Sequence, residues 1–129
     1  MNPYDPHYNA RPDRHVQNLS VTFARRVRQF CIRRQTSIAM DRSPLVQLYR
    51  AATSVAANIR ESQFAESTKD FVHKLKIAEK ELAEYHFWIG LLMDEPSIAK
   101  PCELEEIHSL SLQLQKLLRS IILAKRSNS

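Results

Sequence analysis

The chain has 129 residues, of which 43% are hydrophobic and 26% charged, and its formal net charge is +5. This length and this mixture are typical of one globular domain and exclude a disordered chain. The single glycine, Gly90, argues against β sandwiches and barrels, because their tight turns need residues with positive φ. No apolar run approaches the roughly 20 residues of a membrane span. The sequence therefore predicts a cytoplasmic protein with no membrane partner.

The charge is unevenly distributed along the chain. Residues 1–60 carry ten arginines, no lysine and three acids, which gives a net charge of +7, whereas residues 61–129 carry a net charge of −2. Such asymmetry predicts either an anionic partner for the first half or a contact with a complementary subunit. The two cysteines, Cys31 and Cys102, are too few and too far apart for a disulfide framework or a zinc motif. We expect both to be reduced and partly buried.

Residues 1–15 hold three prolines and show no periodicity, so we expect a flexible N-terminal arm. Apolar residues then recur at steps of three and four, which predicts a first helix over 16–37 and a second over 44–63. The first stripe is Val16, Leu19, Phe23, Val27, Phe30 and Cys31. The second stripe is Leu45, Leu48, Ala52, Val55, Ala56 and Ile59. The second helix is rich in small residues, so its neighbours are expected to approach closely.

The strongest helical pattern predicts a third helix from Ser67 or Thr68 to Met93. Its stripe is Phe71, Leu75, Ala78, Leu82, Tyr85, Ile89 and Leu92. A fourth helix is predicted over 101–125, with the stripe Leu104, Ile107, Leu110, Leu114, Leu117 and Ile121, widened by Leu112, Leu118 and Ile122. The extra width favours an oligomer interface. Short connections predict an all-α, antiparallel, up-down-up-down four-helix bundle over 16–126, followed by a tail at 127–129.

Catalytic and metal-binding patterns are weak. Glu105 and His108 form the Glu-x-x-His pair of di-metal bundles, but each lies one residue past a core position and therefore about 100° away from it. Asp70 and His73 are a weaker pair of the same kind. The sequence lacks a glycine-rich phosphate loop and a recognisable nucleophile motif. We therefore predict a protein that is not an enzyme and that has no metal and no cofactor.

Arginines on the first helix are the most suggestive feature, because guanidinium groups bind phosphate and supply sequence-independent affinity for nucleic acid. The candidate nucleic-acid-binding residues are Arg25, Arg26, Arg28, Arg33 and Arg34. Lysines of the third helix, Lys69, Lys74, Lys76 and Lys80, are candidates to extend this surface. The leading hypothesis is an oligomeric protein that binds RNA or DNA. Two alternatives stay open: a solvated helix face, and a scaffold whose arginines contact an acidic protein or a neighbouring subunit.

Polar residues on the second helix, Asn58 and Glu61, lie beside the apolar stripe, where hydrogen bonding across helices is the usual role. We predict a packing role for them and not a ligand site. The aromatic cluster Tyr85, Phe87 and Trp88 is predicted to supply core and subunit contacts in preference to a base-stacking platform.

The segment Arg50-Ala-Ala-Thr-Ser-Val-Ala-Ala-Asn-Ile-Arg-Glu resembles the second-helix signature of the bacterial four helix bundle proteins. This family is also called the S23 or 23S rRNA intervening-sequence family. Further matching positions are Ser67, Phe71, Leu75, Ile77, Ala78, Leu82 and Glu84. The resemblance marks Ser54, Asn58 and Glu61 as a structural polar motif.

The resemblance implies a left-handed antiparallel four-helix bundle that assembles as a homopentamer. It also implies kinship with the accessory protein of diversity-generating retroelements, a basic pentamer that engages reverse transcriptase and nucleic acid. These implications give the expected fold, the expected homo-oligomer and the expected kinds of partner.

Overall fold

The computed structural model describes residues 12–34, 43–94 and 101–127, which form four α-helices. Helix α1 spans Pro12–Arg34, α2 spans Ser43–Ser62, α3 spans Thr68–Met93 and α4 spans Pro101–Ser127. No strand occurs within these ranges. The predicted all-α fold with four helices is therefore confirmed.

The helix bounds differ from the predicted ones mainly at α1. This helix begins at Pro12, so the last four residues of the predicted arm are helical. Proline is tolerated in the first turn, because the N–H that it lacks would have no intrahelical acceptor there. The rest of the arm, at 1–11, lies outside the described residues, as do the connections at 35–42 and 95–100 and the last two residues.

Helix α3 begins where the sequence predicts, at a capped turn. The Ser67 hydroxyl accepts a hydrogen bond from the Asp70 backbone N–H at 3.0 Å. The Asp70 carboxylate in turn accepts one from the Glu66 backbone N–H at 3.2 Å. Two backbone N–H donors at the N-terminus of α3 are thus satisfied. The negative charge of Asp70 also interacts favourably with the positive end of the helix dipole.

The core follows the predicted stripes closely in α1, α2 and α3. Its centre is an edge-to-face contact between Phe23 of α1 and Tyr85 of α3, with ring centroids 4.8 Å apart and planes at 80°. Both side chains are fully buried, as are the small residues Ala51 and Ala52 of α2. The absence of bulk on α2 lets its neighbours pack against it closely.

On α4 the buried stripe is rotated from the predicted one. Leu118 and Ile122 are fully buried, whereas Leu117 and Ile121 are only partly buried. Leu118 and Ile122, which widened the apolar stripe and favoured an oligomer interface on this helix, therefore pack in the core of the bundle. Of the large apolar side chains described on α4, Leu112 and Leu123 are exposed.

The contacts between α1 and α2 indicate that these two helices run in opposite directions. Each helix packs against two others, in the order α1, α2, α3, α4 and back to α1. On α1 and α2, the Cys31 thiol donates to the Leu45 carbonyl at 3.6 Å, whereas the earlier residue Gln17 shares a groove with the later residue Arg60. These directions fit the predicted antiparallel arrangement. The left-handed twist stays a prediction.

The two cysteines are both free thiols, but they differ in environment. Cys31 is buried, and burial raises the pKa of its thiol to about 12. Cys102 is exposed at the start of α4, contrary to the expectation that both are partly buried, because it projects away from the core stripe of this helix.

A buried hydroxyl in the core gives the first prediction. The Tyr85 Oη atom is buried and has no hydrogen-bond partner among the described residues, and burial raises the pKa of this phenol. An unsatisfied buried donor costs about 1–3 kcal/mol. We expect Tyr85→Phe to increase the free energy of unfolding by about 1 kcal/mol in urea denaturation.

Tyr49→Phe is the matched control, because Tyr49 is exposed and its hydroxyl can bind water. We expect it to change stability by less than about 0.5 kcal/mol. A clear loss of stability in Tyr85→Phe would show that the Tyr85 hydroxyl is satisfied.

Candidate nucleic-acid interface

The five candidate arginines of α1 do not form one surface. Three of them point towards α4 and form ion pairs with its first turns. Arg26 Nε lies 3.1 Å from Glu106 Oε1, and Arg33 Nη1 lies 2.6 Å from Glu103 Oε1. Arg34 pairs with the other oxygen of Glu103. These contacts engage the three arginines with two carboxylates of the same chain.

Arg34 belongs to the packed interior more than to the surface. Only 8% of the residue is exposed, and its guanidinium lies over the Phe30 ring, 5.3 Å from the centroid. A phosphate could reach this group only if Arg34 first left Glu103. The structure therefore removes Arg34 from the predicted phosphate-binding surface, because it lies on the buried face of the last turn of α1.

Arg25 and Arg28 face solvent, and neither has an acidic partner among the described residues. They lie on the outer stripe of α1 between Val21 and Ile32, at steps of four, three and four residues. Such steps place the four side chains on one face of a helix. Arg25 and Arg26 are neighbours in sequence but about 100° apart around the helix, which explains their different surroundings.

The neighbouring stripe of α2 continues this surface. Tyr49 and Val46 are exposed, and Arg60 is exposed near the end of the helix without an acidic partner among the described residues. We call the surface formed by the two stripes the α1–α2 face. Its members are Val21, Arg25, Arg28 and Ile32 of α1 with Val46, Tyr49 and Arg60 of α2.

None of the described members of this surface is acidic. Between Arg14 and Arg60 the sequence contains one acid, Asp41, which lies outside the described residues. A groove of about 150 Å³ separates the two helices near Arg60, lined by Gln17, Ser20, Val21, Ala56, Ala57 and Arg60. The α1–α2 face is thus cationic along its whole length, with apolar side chains between the charges.

Sequence reasoning missed Arg60 and Tyr49 as members of this surface. Both lie on the helical stripe of Ala56, which also lines the groove. That spacing was visible in the sequence. Which face of α2 borders α1 was not, because it depends on how the helices are arranged around the core.

The lysines of α3 cannot extend the α1–α2 face, because α3 lies diagonally opposite α1 in the bundle. Lys74 pairs with Glu61 at 3.2 Å, and Lys76 lies 3.7 Å from Glu79. Lys69 and Lys80 are exposed on α3. They contribute charge to a different side of the molecule.

The predicted polar motif of α2 makes one contact within the helix and one between helices. The Asn58 side-chain amide donates to the Ser54 carbonyl at 2.9 Å and lies 3.2 Å from its hydroxyl. Glu61 accepts from Lys74 of α3. Asn58 therefore donates its amide hydrogen bonds within its own helix and not across helices. Of the two, Glu61 is the one that links α2 to α3.

An ion-pair network also holds α2 to α3 on the side away from α1. Arg50 contacts Glu81 at 3.3 Å and forms a second pair with Glu84, which also accepts from the Trp88 indole N–H at 3.3 Å. The hydrogen bond from Arg50 lowers the pKa of the Glu84 carboxyl and raises that of the guanidinium. Phe87 is exposed beside Trp88, with ring centroids 5.1 Å apart.

Two histidines lie at the contact between α3 and α4. His86 Nε2 is 3.0 Å from the Ser111 hydroxyl, which donates to the His108 carbonyl at 2.7 Å. The rings of the two histidines are 6.3 Å apart. No group of three or more metal-ligating side chains occurs in the described ranges. Glu105 and His108 both face solvent, as their spacing predicts.

The Glu103 contact gives a prediction about the stability of the bundle. The Glu103 side chain is 18% exposed and forms ion pairs with two arginines, of which Arg34 is buried. We expect Glu103→Gln to lower the free energy of unfolding by about 2 kcal/mol, because Arg34 loses its carboxylate in a poorly hydrated place. Chemical denaturation measures this change.

Glu106→Gln is the control for that substitution. The Arg26–Glu106 pair is about half exposed on both sides, so its loss should cost under about 1 kcal/mol. Equal effects of the two substitutions would contradict the special position of Glu103.

The His86 imidazole predicts a dependence of stability on pH. Burial, with a smaller effect of His108, lowers its pKa below the ordinary value of 6.5. The unfolded chain then binds the proton more readily, so stability falls as the pH drops below 6.5. We expect His86→Gln to reduce the loss of stability between pH 7.5 and 5.5, measured by thermal unfolding at several pH values.

His73→Gln is the control, since His73 is exposed on the outer side of α3. The same measurement on this variant shows how far a histidine-to-glutamine change elsewhere on α3 alters the profile. An identical pH profile for His86→Gln and the unsubstituted protein would contradict the prediction.

Over the residues that the structure describes, none of the helices has the long apolar stretch that crossing a membrane requires.

Comparisons with known proteins agree with this fold. A family model described as 23S rRNA-intervening sequence protein matches residues 13–120. The chain is also 35% identical to a Bacteroides thetaiotaomicron VPI-5482 protein of unknown function from the S23 ribosomal protein family, whose crystal structure was determined at 1.70 Å. That comparison has a TM-score of 0.76 and covers 87% of this chain and 98% of the other.

Comparison with the curated proteins finds no match. Neither the family model nor the crystal structure points to a family of enzymes. The family model covers most of α1 to α4, and the crystal structure has the same fold at substantial identity. The chain therefore belongs to the 23S rRNA-intervening sequence protein family.

Proposed function

We propose that this protein is a non-enzymatic, cytoplasmic protein that binds RNA or DNA through the α1–α2 face. The observation that carries the proposal is the presence of three exposed arginines, Arg25, Arg28 and Arg60, none of which has an acidic partner among the described residues. An arginine without an acidic partner can pair with a phosphate and displace the cations condensed on the nucleic acid, which is the main source of sequence-independent affinity.

The family supports a role connected with RNA. Its description refers to an intervening sequence of 23S rRNA, and the related crystal structure is of a protein from the S23 ribosomal protein family. We also propose a homo-oligomer, a pentamer by resemblance. Several copies of the α1–α2 face in one assembly would bind one long polyanion more tightly than a single copy.

A protein-interaction scaffold is the second candidate. The observation in its favour is the exposure of Ile32 and Val46, at 46% and 60%, within the α1–α2 face. Arginine and tyrosine beside aliphatic groups are also common in protein interfaces. In this case the face would bind an acidic protein or a neighbouring subunit. Arg26, Arg33 and Arg34 support this candidate less, because they meet acids of their own chain.

The test compares two double substitutions that remove the same charge from the same helix. Arg25→Gln with Arg28→Gln changes the α1–α2 face, and Arg26→Gln with Arg33→Gln changes the side that contacts α4. Binding is followed by fluorescence anisotropy of labelled single- and double-stranded RNA and DNA at two salt concentrations. Light scattering follows the mass of the assembly.

We expect the first pair to weaken binding roughly 10- to 30-fold near 0.1 M salt, because each phosphate contact on a single strand contributes about 0.7 to the slope of log affinity against log salt. The slope should fall by about 1.4. The second pair should weaken binding much less and should lower stability instead. No binding by the unsubstituted protein at low salt would sink the proposal, and a change in assembly mass with the first pair would favour the scaffold.

A further inference from the structure

The position of Tyr49 on the α1–α2 face indicates what kind of nucleic acid fits there. Leu45 of α2 accepts a hydrogen bond from Cys31 of α1, which fixes the level at which the two helices meet. Arg28 lies three residues before Cys31, and Tyr49 lies four residues after Leu45. Because the two helices are antiparallel, three residues back along α1 and four residues forward along α2 lead in the same direction along the bundle axis, over similar distances. Tyr49 and Arg28 therefore lie at the same level of the bundle.

The two side chains also project to the same side. Arg28 lies one helical turn before Cys31, on the side of α1 that borders α2. Tyr49 shares its stripe on α2 with Ala56 and Arg60, which line the groove between the helices. Tyr49 is 39% exposed, so part of its ring faces solvent. An accessible aromatic ring thus lies at the same level and on the same side of the bundle as an arginine that has no acidic partner among the described residues.

The spacing of the arginines requires an extended ligand. Arg60 lies eleven residues beyond Tyr49 on α2, which corresponds to about 16 Å along the bundle axis. One phosphate cannot contact both Arg28 and Arg60 over that length. A strand that runs along the boundary of α1 and α2 can contact both and would pass Tyr49.

The apolar members of the face decide between a duplex and a single strand. The backbone of a duplex presents phosphates and sugars, and its bases are stacked inside. Such a surface leaves Val21, Ile32 and Val46 without an apolar partner. An unpaired strand can turn its base faces onto aromatic and aliphatic side chains while its phosphates meet the arginines.

A second exposed aromatic site, on α3, lacks this combination. Trp88 and Phe87 lie on α3, and the Trp88 indole donates to the Glu84 carboxylate. Glu81 and Glu84 both pair with the same arginine, Arg50, so two negative charges face one positive charge at this site. Phosphates would be repelled there, whereas the surroundings of Tyr49 attract them.

We propose that the α1–α2 face binds single-stranded nucleic acid in preference to duplex, with an unpaired base stacked on the ring of Tyr49. This inference rests on the proposed function, because it names the ligand of the same face. Arg25 and Arg28 bind the phosphates on one side of that base, and Arg60 binds the strand further along.

The test uses Tyr49→Ala, with Phe87→Ala as the matched control. Both substitutions remove an exposed aromatic ring from a helix surface, and thermal unfolding verifies that each variant is folded. The ligands are a labelled single strand of about 12 nucleotides, in RNA and in DNA, an abasic strand of the same length, and a duplex of the same sequence.

We expect the unsubstituted protein to prefer the single strand to the duplex. Tyr49→Ala should weaken binding of the single strand about tenfold, because stacking on one aromatic ring is worth about that factor. Binding of the abasic strand and the duplex should not change, since neither presents a free base. Tyr49→Phe should bind as the unsubstituted protein does, and so should Phe87→Ala.

Equal loss for the abasic strand, or no loss for the single strand, would overturn the stacking of a base on Tyr49. If the double substitution of Arg25 and Arg28 still weakens binding in that case, the proposed function stands without this inference. If neither that double substitution nor Tyr49→Ala affects binding, the proposed function itself fails. A change in the mass of the assembly with Tyr49→Ala would identify the face as a contact between protein subunits and would also overturn the inference.

Discussion

The scarcity of acids in the first half of the chain determines how the helices of this bundle are held together. An ion pair between helices needs a carboxylate on one of them, and the described parts of α1 and α2 have almost none before Glu61. Arg26, Arg33 and Arg34 of α1 therefore pair with acids on α4, and Arg50 of α2 pairs with acids on α3. Among the described residues no ion pair joins α1 to α2. Their contact depends on packing of small and aliphatic side chains and on the Cys31 thiol.

The same constraint divides one arginine-rich helix into two functions. Arg26 and Arg33 face acids, so they contribute to the closure of the bundle. Arg25 and Arg28 face solvent and have no acidic partner among the described residues, so their charge is directed outward. The position of each arginine relative to α4, and not its presence in a basic segment, determines whether it is structural or available to a ligand. The cationic character of the α1–α2 face is thus a by-product of where the acids lie.

The helices and most of their buried positions could be predicted from the sequence, because a period of three and four residues reports burial directly. The stripe from Leu75 to Leu92 on α3 is buried as predicted. On α4 the wide apolar arc left two stripes possible, and the structure selects the one through Leu118 and Ile122. A choice between adjacent stripes depends on the tilt and rotation of the packed helices, which periodicity does not contain.

The candidate site was less predictable for a related reason. Sequence placed Arg25 and Arg26 in one group, since both lie off the apolar stripe of α1. Their difference arises only when α4 brings Glu106 beside one of them. Likewise Tyr49 and Arg60 join the arginines of α1 only through the register of α2. Pairings between distant segments are set by the tertiary arrangement, and the periodicity of one sequence does not contain them.

The ion pair between Arg33 and Glu103 has a consequence for the order in which the chain folds. These residues are 70 positions apart, whereas the Lys74–Glu61 pair that links α2 to α3 closes only 13 positions. Closing the longer loop costs more chain entropy, so α2 and α3 can dock early and the terminal helices meet late. During synthesis the 27 residues of α4 emerge after the other three helices. Until then, the side of α1 that α4 will cover remains open to water, and the ribosome determines when the bundle can close.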